Sequence, residues 1–106
     1  MWLSEEELEN LDFSLINYLH GKCDEWVLGN YKDSDKILVI LEFDYNINRD
    51  CLLHCCLIRD GNFIDVRGET SNLDDVLDGF DYDEYSVLCC ENKDSFKTIL
   101  KRIGVV

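Results

Sequence analysis

The chain predicts an α+β domain: a small antiparallel β-sheet of about four strands, with an N-terminal helix pair and a C-terminal helix. Three observations lead there. Residues 36–44 (KILVILEFD) are a nearly continuous apolar run, the pattern of a strand buried on both faces. Residues 51–67 hold two strand-like runs joined by Asp60-Gly61, a strong turn signal because a type I′ hairpin turn needs positive φ. Apolar residues at helical spacing flank this β-rich middle on both sides.

The elements follow in order. Ser4 is placed to N-cap a first helix, and Glu7 three residues on completes a capping box. Leu3 and Leu8 stand at hydrophobic-staple positions. Leu8, Leu11, Leu15, Tyr18 and Leu19 form a stripe that predicts one helix up to His20, stopped at Gly21. A second short helix is expected over Cys23–Tyr31, with Asp24 and Glu25 in its first turn and Trp26, Val27 and Tyr31 on one face. Lys36–Asp44 is the first strand and Tyr45–Asp50 a loop. Cys51–Arg59 and Asn62–Arg67 form the hairpin. Asn72 caps a short helix through Asp78, Tyr85–Cys90 is a fourth strand, and Asn92 caps a last helix carrying Phe96, Ile99, Leu100 and Ile103, ended by Gly104. The order is α-α-β-β-β-α-β-α.

Composition narrows the class. The 106 residues make a single domain, 1–106, and 46% apolar content supports a core. No apolar stretch approaches the roughly 18–20 residues that span a bilayer, and the N-terminus is acidic, unlike the basic start of a signal peptide. A cytoplasmic protein with no membrane partner is expected. Four of the six cysteines are adjacent pairs, Cys55-Cys56 and Cys89-Cys90, inside apolar strand runs, which reads as reduced core thiols. No metal or other cofactor is expected: CxxC spacing is missing, and Cys51, His54, Cys55 and Cys56 alternate across a strand and cannot converge on one ion.

The net charge of −13, from 23 acids and 10 bases, argues against direct nucleic-acid binding. It is uneven. Between Gly68 and Asn92 there are eight acids and no Lys or Arg.

The hairpin carries the chemistry. With Asp60-Gly61 at its tip, Arg59 pairs with Asn62, Cys56 with Asp65 and His54 with Arg67. His54 and Asp65 become diagonal neighbours on one face. A carboxylate beside an imidazole orients a general base. Cys23 supplies a candidate nucleophile, because a helix N-terminus lowers a thiol pKa and an imidazole can take its proton. Arg67 could bind an acidic substrate, or act as charge partner to Asp65 or Glu69. Gly68 offers positive φ where the chain leaves the sheet.

The residues GKCDEW around Cys23, LLHCCL around His54 and DGNFIDVRG around Asp65 resemble the papain-like cysteine hydrolases, including the NlpC/P60-type branch. The hairpin stretch also looks like small proteins of bacteria and their phages. The first resemblance implies a helix opening with the nucleophile, followed by an antiparallel sheet bringing His and then a polar residue. Cys23 would attack an amide bond, His54 would act as base and acid, and Asp65 would orient it. The chain contains no Gln, so an oxyanion hole would have to come from backbone N–H groups at the helix start. Both an active and a silent triad are compatible with these residues.

A second function class stands beside this one. Asp74, Asp75, Asp78, Phe80, Asp81, Tyr82, Asp83, Glu84 and Tyr85 set aromatics among carboxylates, where rings supply contact area and charges supply steering. Size and charge match acidic inhibitors from phages or mobile elements, of anti-CRISPR or immunity type. Such proteins mimic nucleic acid and bind a basic, nucleic-acid-handling partner.

Overall fold

The computed structural model describes residues 2–80 and 84–105. Five strands form: β1 at Lys36–Asp44, β2 at Arg49–Arg59, β3 at Asn62–Asp65, β4 at Gly68–Thr70 and β5 at Tyr85–Cys90. They make one antiparallel sheet in the order β4-β3-β2-β1-β5. Four helices accompany it: α1 at Glu5–Leu11, α2 at Cys23–Asn30, α3 at Leu73–Leu77 and α4 at Lys93–Arg102. The α+β expectation holds, with one more strand than anticipated.

The apolar run of β1 is explained by its central place. Ile37 to Leu41 are all buried, because both faces of the sheet are covered. One core cluster joins Val27 of α2 and Phe96 and Leu100 of α4 to Ile37, Val39, Leu41, Cys55 and Leu57 of the sheet. The opposite cluster joins Val76 and Leu77 of α3 to Leu38, Ile40 and Cys56. The alternation of partners along β1 is the period-two geometry of a strand.

The hairpin forms around Asp60 (φ 53°) and Gly61 (φ 80°), both in the left-handed region that a type I′ turn demands. Arg59 pairs with Asn62, as expected, and the β2–β3 ladder runs back to Leu57 and Ile64. It ends there, so the expected ladder pairs Cys56–Asp65 and His54–Arg67 are not made. The cause is local. Asp65 Oδ1 accepts from the Arg67 backbone N–H (2.7 Å), closing an Asx-type turn. Gly68 (φ 126°) then lets β4 fold back, pairing Asp65 with Gly68. The second hairpin strand thus becomes two short strands.

The N-terminal helix is also divided. The capping box forms, with Ser4 and Glu7 exchanging bonds of 3.1 Å. The helix then stops at Leu11, not at His20. Asp12 is extended and its carboxylate accepts from Ser14 N–H (3.0 Å), starting a separate 3-10 segment over Phe13–Tyr18. Leu8 and Leu19 are buried while Leu11 is 70% exposed, so the five-residue stripe is not one face. Asn72 and Asn92 cap α3 and α4 as expected.

A partly buried ion pair locks the hairpin tip, with Asp35 buried and Arg59 half-exposed. Asp35 receives Arg59 Nε (2.8 Å) and Nη2 (2.6 Å), and the Lys32 backbone N–H (2.9 Å). Among the described residues no helix is long and apolar enough to cross a membrane.

Candidate active site

Cys23 is the first residue of α2, preceded by Gly21 at φ 103°. No side chain caps this helix start, so its first-turn N–H groups are left to face another acceptor. Residues of α2 pack on β2, and Cys23 belongs to the same core cluster as Cys55. The thiol is 3% exposed and lines a cavity beside the start of β2.

His54 lies in β2 and is fully buried. Its Nε2 is 2.9 Å from Asp65 Oδ2. A carboxylate only accepts, so Nε2 carries the proton. Asp65 in turn is held by Arg67, through Nη2 (2.7 Å) and Nε (3.2 Å) to Oδ2 and through the backbone N–H to Oδ1. Arg67 is 2% exposed. Its remaining donors go to the carbonyls of Asp75, Val76 and Asp78, and its guanidinium lies 4.4 Å from the Trp2 ring centre. Arg67 therefore has no donor facing a substrate. Of its two expected roles, the partner of Asp65 is the one observed.

The other imidazole nitrogen, Nδ1, is buried and makes no hydrogen bond of good geometry among the described residues. The titratable groups acting on His54 are Asp65 and Cys23. Burial works against its charge, but Asp65 and the Cys23 sulfur outweigh it and raise the pKa above the ordinary histidine value. Burial likewise works against the Asp65 carboxylate, and His54 and Arg67 outweigh it, holding the group below the usual range.

Cys23 is pulled down to about 5. The largest cause is the Cys55 thiol bonding to its sulfur; His54 and the Cys55 backbone N–H add to it, against burial. Cys55 itself is pushed up, first by burial and then by Cys23, and stays a protonated donor. Both shifts favour a thiolate at Cys23 and a protonated ring at His54, whose Nε2 is fixed by a carboxylate.

Phe80 packs on this unit. Its ring centre is 4.8 Å from that of His54 and 5.1 Å from that of His20, and it is half-buried. The side chain proposed for a partner is thus turned inward, where it shields the His54–Asp65 bond from water. The other acidic-tract residues divide. Asp74 and Asp78 are exposed. Asp75 is half-buried and bonded to the Thr70 hydroxyl. Glu84 is exposed and accepts from the Tyr45 hydroxyl (2.5 Å), and Tyr85 is 43% exposed. Asp81, Tyr82 and Asp83 lie outside the described residues.

Cys55, Trp2 and Phe80 are members of the site that sequence reasoning did not place there. Cys55 adjoins His54 in the chain, which was the only available signal. Trp2 reaches the site through a bridge to Gly68 and the bond from Leu3 N–H to Arg67 O (2.9 Å), a contact no local pattern announces.

Fold and site together describe an α+β domain with a Cys–His–Asp group between a helix start and a sheet. No family model, no curated protein and no solved structure matches this chain.

Proposed function

We propose that the protein is a papain-like thiol hydrolase or transferase acting on an amide bond, with Cys23 as nucleophile, His54 as base and acid, and Asp65 as the orienting group. The observation that carries this reading is the two-sidedness of His54. One nitrogen, Nε2, is tied to a buried carboxylate, and the other, Nδ1, is buried with no hydrogen bond of good geometry among the described residues, leaving the Cys23 sulfur as the other titratable group that acts on the ring.

The chemistry balances within the site. The Cys23 thiolate attacks the carbonyl carbon and forms the C–S bond. The proton on His54 Nδ1 passes to the departing amine as the C–N bond breaks. Water then gives a proton back to Nδ1 and its oxygen displaces the thiolate; in a transferase, an amine or alcohol takes the place of water. With no Gln in the chain, backbone N–H groups at the start of α2 would stabilise the tetrahedral oxyanion.

A p-nitrophenyl ester tests this directly. We expect a burst of p-nitrophenolate and an acyl adduct on Cys23 by mass spectrometry. With a p-nitroanilide, whose amine leaving group needs the proton, His54→Gln should slow acylation by about 10²–10⁴-fold, the usual worth of a general acid–base. An adduct spread over several cysteines, or none, removes the enzyme reading.

The acidic-inhibitor reading is supported by a different observation: Asp74, Asp78 and Glu84 are exposed on a chain of net charge −13. Phe80, half-buried against His54 and His20, presents only part of its ring to such a partner. If it holds, affinity for a basic, nucleic-acid-handling protein should fall steeply between 50 and 500 mM salt, beyond roughly a Debye-length effect on one pair. A salt-independent affinity contradicts it.

A further inference from the structure

The cavity beside Cys23 has a definite chemical character. Its volume is about 220 Å³, below the range of about 300–1,000 Å³ that holds drug-sized ligands, so it suits a single side chain or short acyl group. Leu52 lines it from β2, and Ile103 and Val105 line it after α4; Leu53 touches it as well, although its side chain packs in the opposite core cluster. Asp24 is the only permanently charged side chain among the described lining residues.

The wall after α4 is built, not frayed. Arg49 Nη2 donates to the Ile103 carbonyl (2.6 Å), tying the chain beyond α4 to the start of β2. Val105 N–H bonds back to Leu100 O (2.9 Å), and Gly104 at φ 82° makes that return possible. Ile103 packs against the core cluster that contains Cys23.

We propose that this cavity is the acyl-side specificity pocket of the Cys23 site and takes an uncharged aliphatic group, with Ile103 and Val105 as specificity-determining residues. The inference rests on the nucleophile reading of Cys23. Two features select the occupant. The aliphatic side chains of Leu52, Ile103 and Val105 reward burial of methylene groups, at a free-energy gain proportional to the area removed from water. Asp24 at the rim, on a chain of net charge −13, repels carboxylate-bearing substrates. Cys23 itself lines the cavity, so on the nucleophile reading its occupant is the part of the substrate next to the scissile carbonyl.

Three alkylating agents read the pocket without knowledge of the substrate: iodoacetamide, N-hexyliodoacetamide and iodoacetate. Each rate at Cys23 is divided by the rate of the same agent with glutathione at pH 6.5. We expect the hexyl reagent to exceed iodoacetamide by at least about tenfold, the effect of burying roughly two methylenes, and iodoacetate to fall below it. In Val105→Asp the hexyl-to-iodoacetamide ratio should drop towards one. Fast iodoacetamide labelling with a ratio near one in the wild-type protein overturns the pocket while the thiolate stands. Slow labelling by all three agents overturns both this inference and the nucleophile reading beneath it.

Discussion

At pH 6, Cys23 should react with iodoacetamide about tenfold faster than an ordinary thiol. An ordinary thiol of pKa about 8.5 is roughly 0.3% thiolate at that pH, whereas a group titrating near 5 is about 90% ionised, a gain of about 300-fold. Intrinsic nucleophilicity falls with pKa at a Brønsted slope of about 0.4–0.5, which returns a factor of roughly 40. The remainder is the expected advantage. Its pH dependence is the sharper signature. The folded pKa is lowered, so the reactive form is lost as pH falls through about 5 and is complete by about pH 6 to 7. Reactivity at Cys23 should level off there, while an ordinary thiol keeps accelerating through pH 8.5.

Catalysis adds an upper limb. His54 must hold its proton to release the amine, and its pKa is raised, so activity should persist above pH 6.5 before it declines. His54→Gln removes one source of the thiolate's stabilisation, and the midpoint of the alkylation profile should move to higher pH. Peptide mapping of the labelled protein, with Cys23→Ser as the reference, identifies the reacting thiol. A Cys23 rate that climbs through pH 8.5 like the others contradicts the thiolate–imidazolium pair.

Arg67→Ala should be strongly destabilising, costing about 3–5 kcal/mol, the usual loss when one partner of a buried ion pair is removed. Against a typical total of about 5–15 kcal/mol, that leaves a marginal fold. The residue does three things at once. It neutralises buried Asp65, satisfies the carbonyls of Asp75, Val76 and Asp78, and stacks on Trp2. Arg67→Lys should recover only part of the loss, because an ammonium cannot reproduce the planar fork.

The sign of the acid dependence follows from Asp65. Its pKa is depressed in the folded state, so its contribution is present above the ordinary carboxyl value and is lost as pH falls through the lower folded value. Without Arg67 that lower value rises, and the acid-unfolding transition should begin at higher pH. Urea titrations of the wild-type and variant proteins at pH 7 and pH 4 measure both effects. A loss below about 1 kcal/mol at pH 7, the range of an exposed pair, means that Arg67 is not the organiser described here.

The same network shows why the site was partly legible in the chain. Cys23 after Gly21-Lys22, His54 in an apolar run and Asp65 beyond an Asp-Gly turn could be singled out as residue types at suggestive positions. Their pairing was reached through a hairpin register that was correct at Arg59–Asn62 and does not extend as a ladder to His54 and Arg67. His54 and Asp65 meet all the same, by side-chain reach across the end of that ladder. The carboxylates beside Phe80 in sequence point to an acidic surface, whereas its half-buried ring also packs on those of His54 and His20, a contact that its sequence neighbours do not announce.

What the amino-acid sequence by itself determined was whatever a few consecutive residues can enforce. Ser4–Glu7, Asn72 and Asn92 cap their helices, Asp60-Gly61 turns the hairpin, and the run of β1 requires cover on both faces. These features depend on φ preferences, on side chains within three or four residues, and on apolar periodicity. Tertiary structure decided the rest: the burial of Arg67 and the meeting of Cys23, Cys55 and His54. The physical reason is distance along the chain. A thiol at residue 23 and an imidazole at residue 54 acquire their pKa values only when packing removes water and sets them together, and no local pattern encodes that meeting.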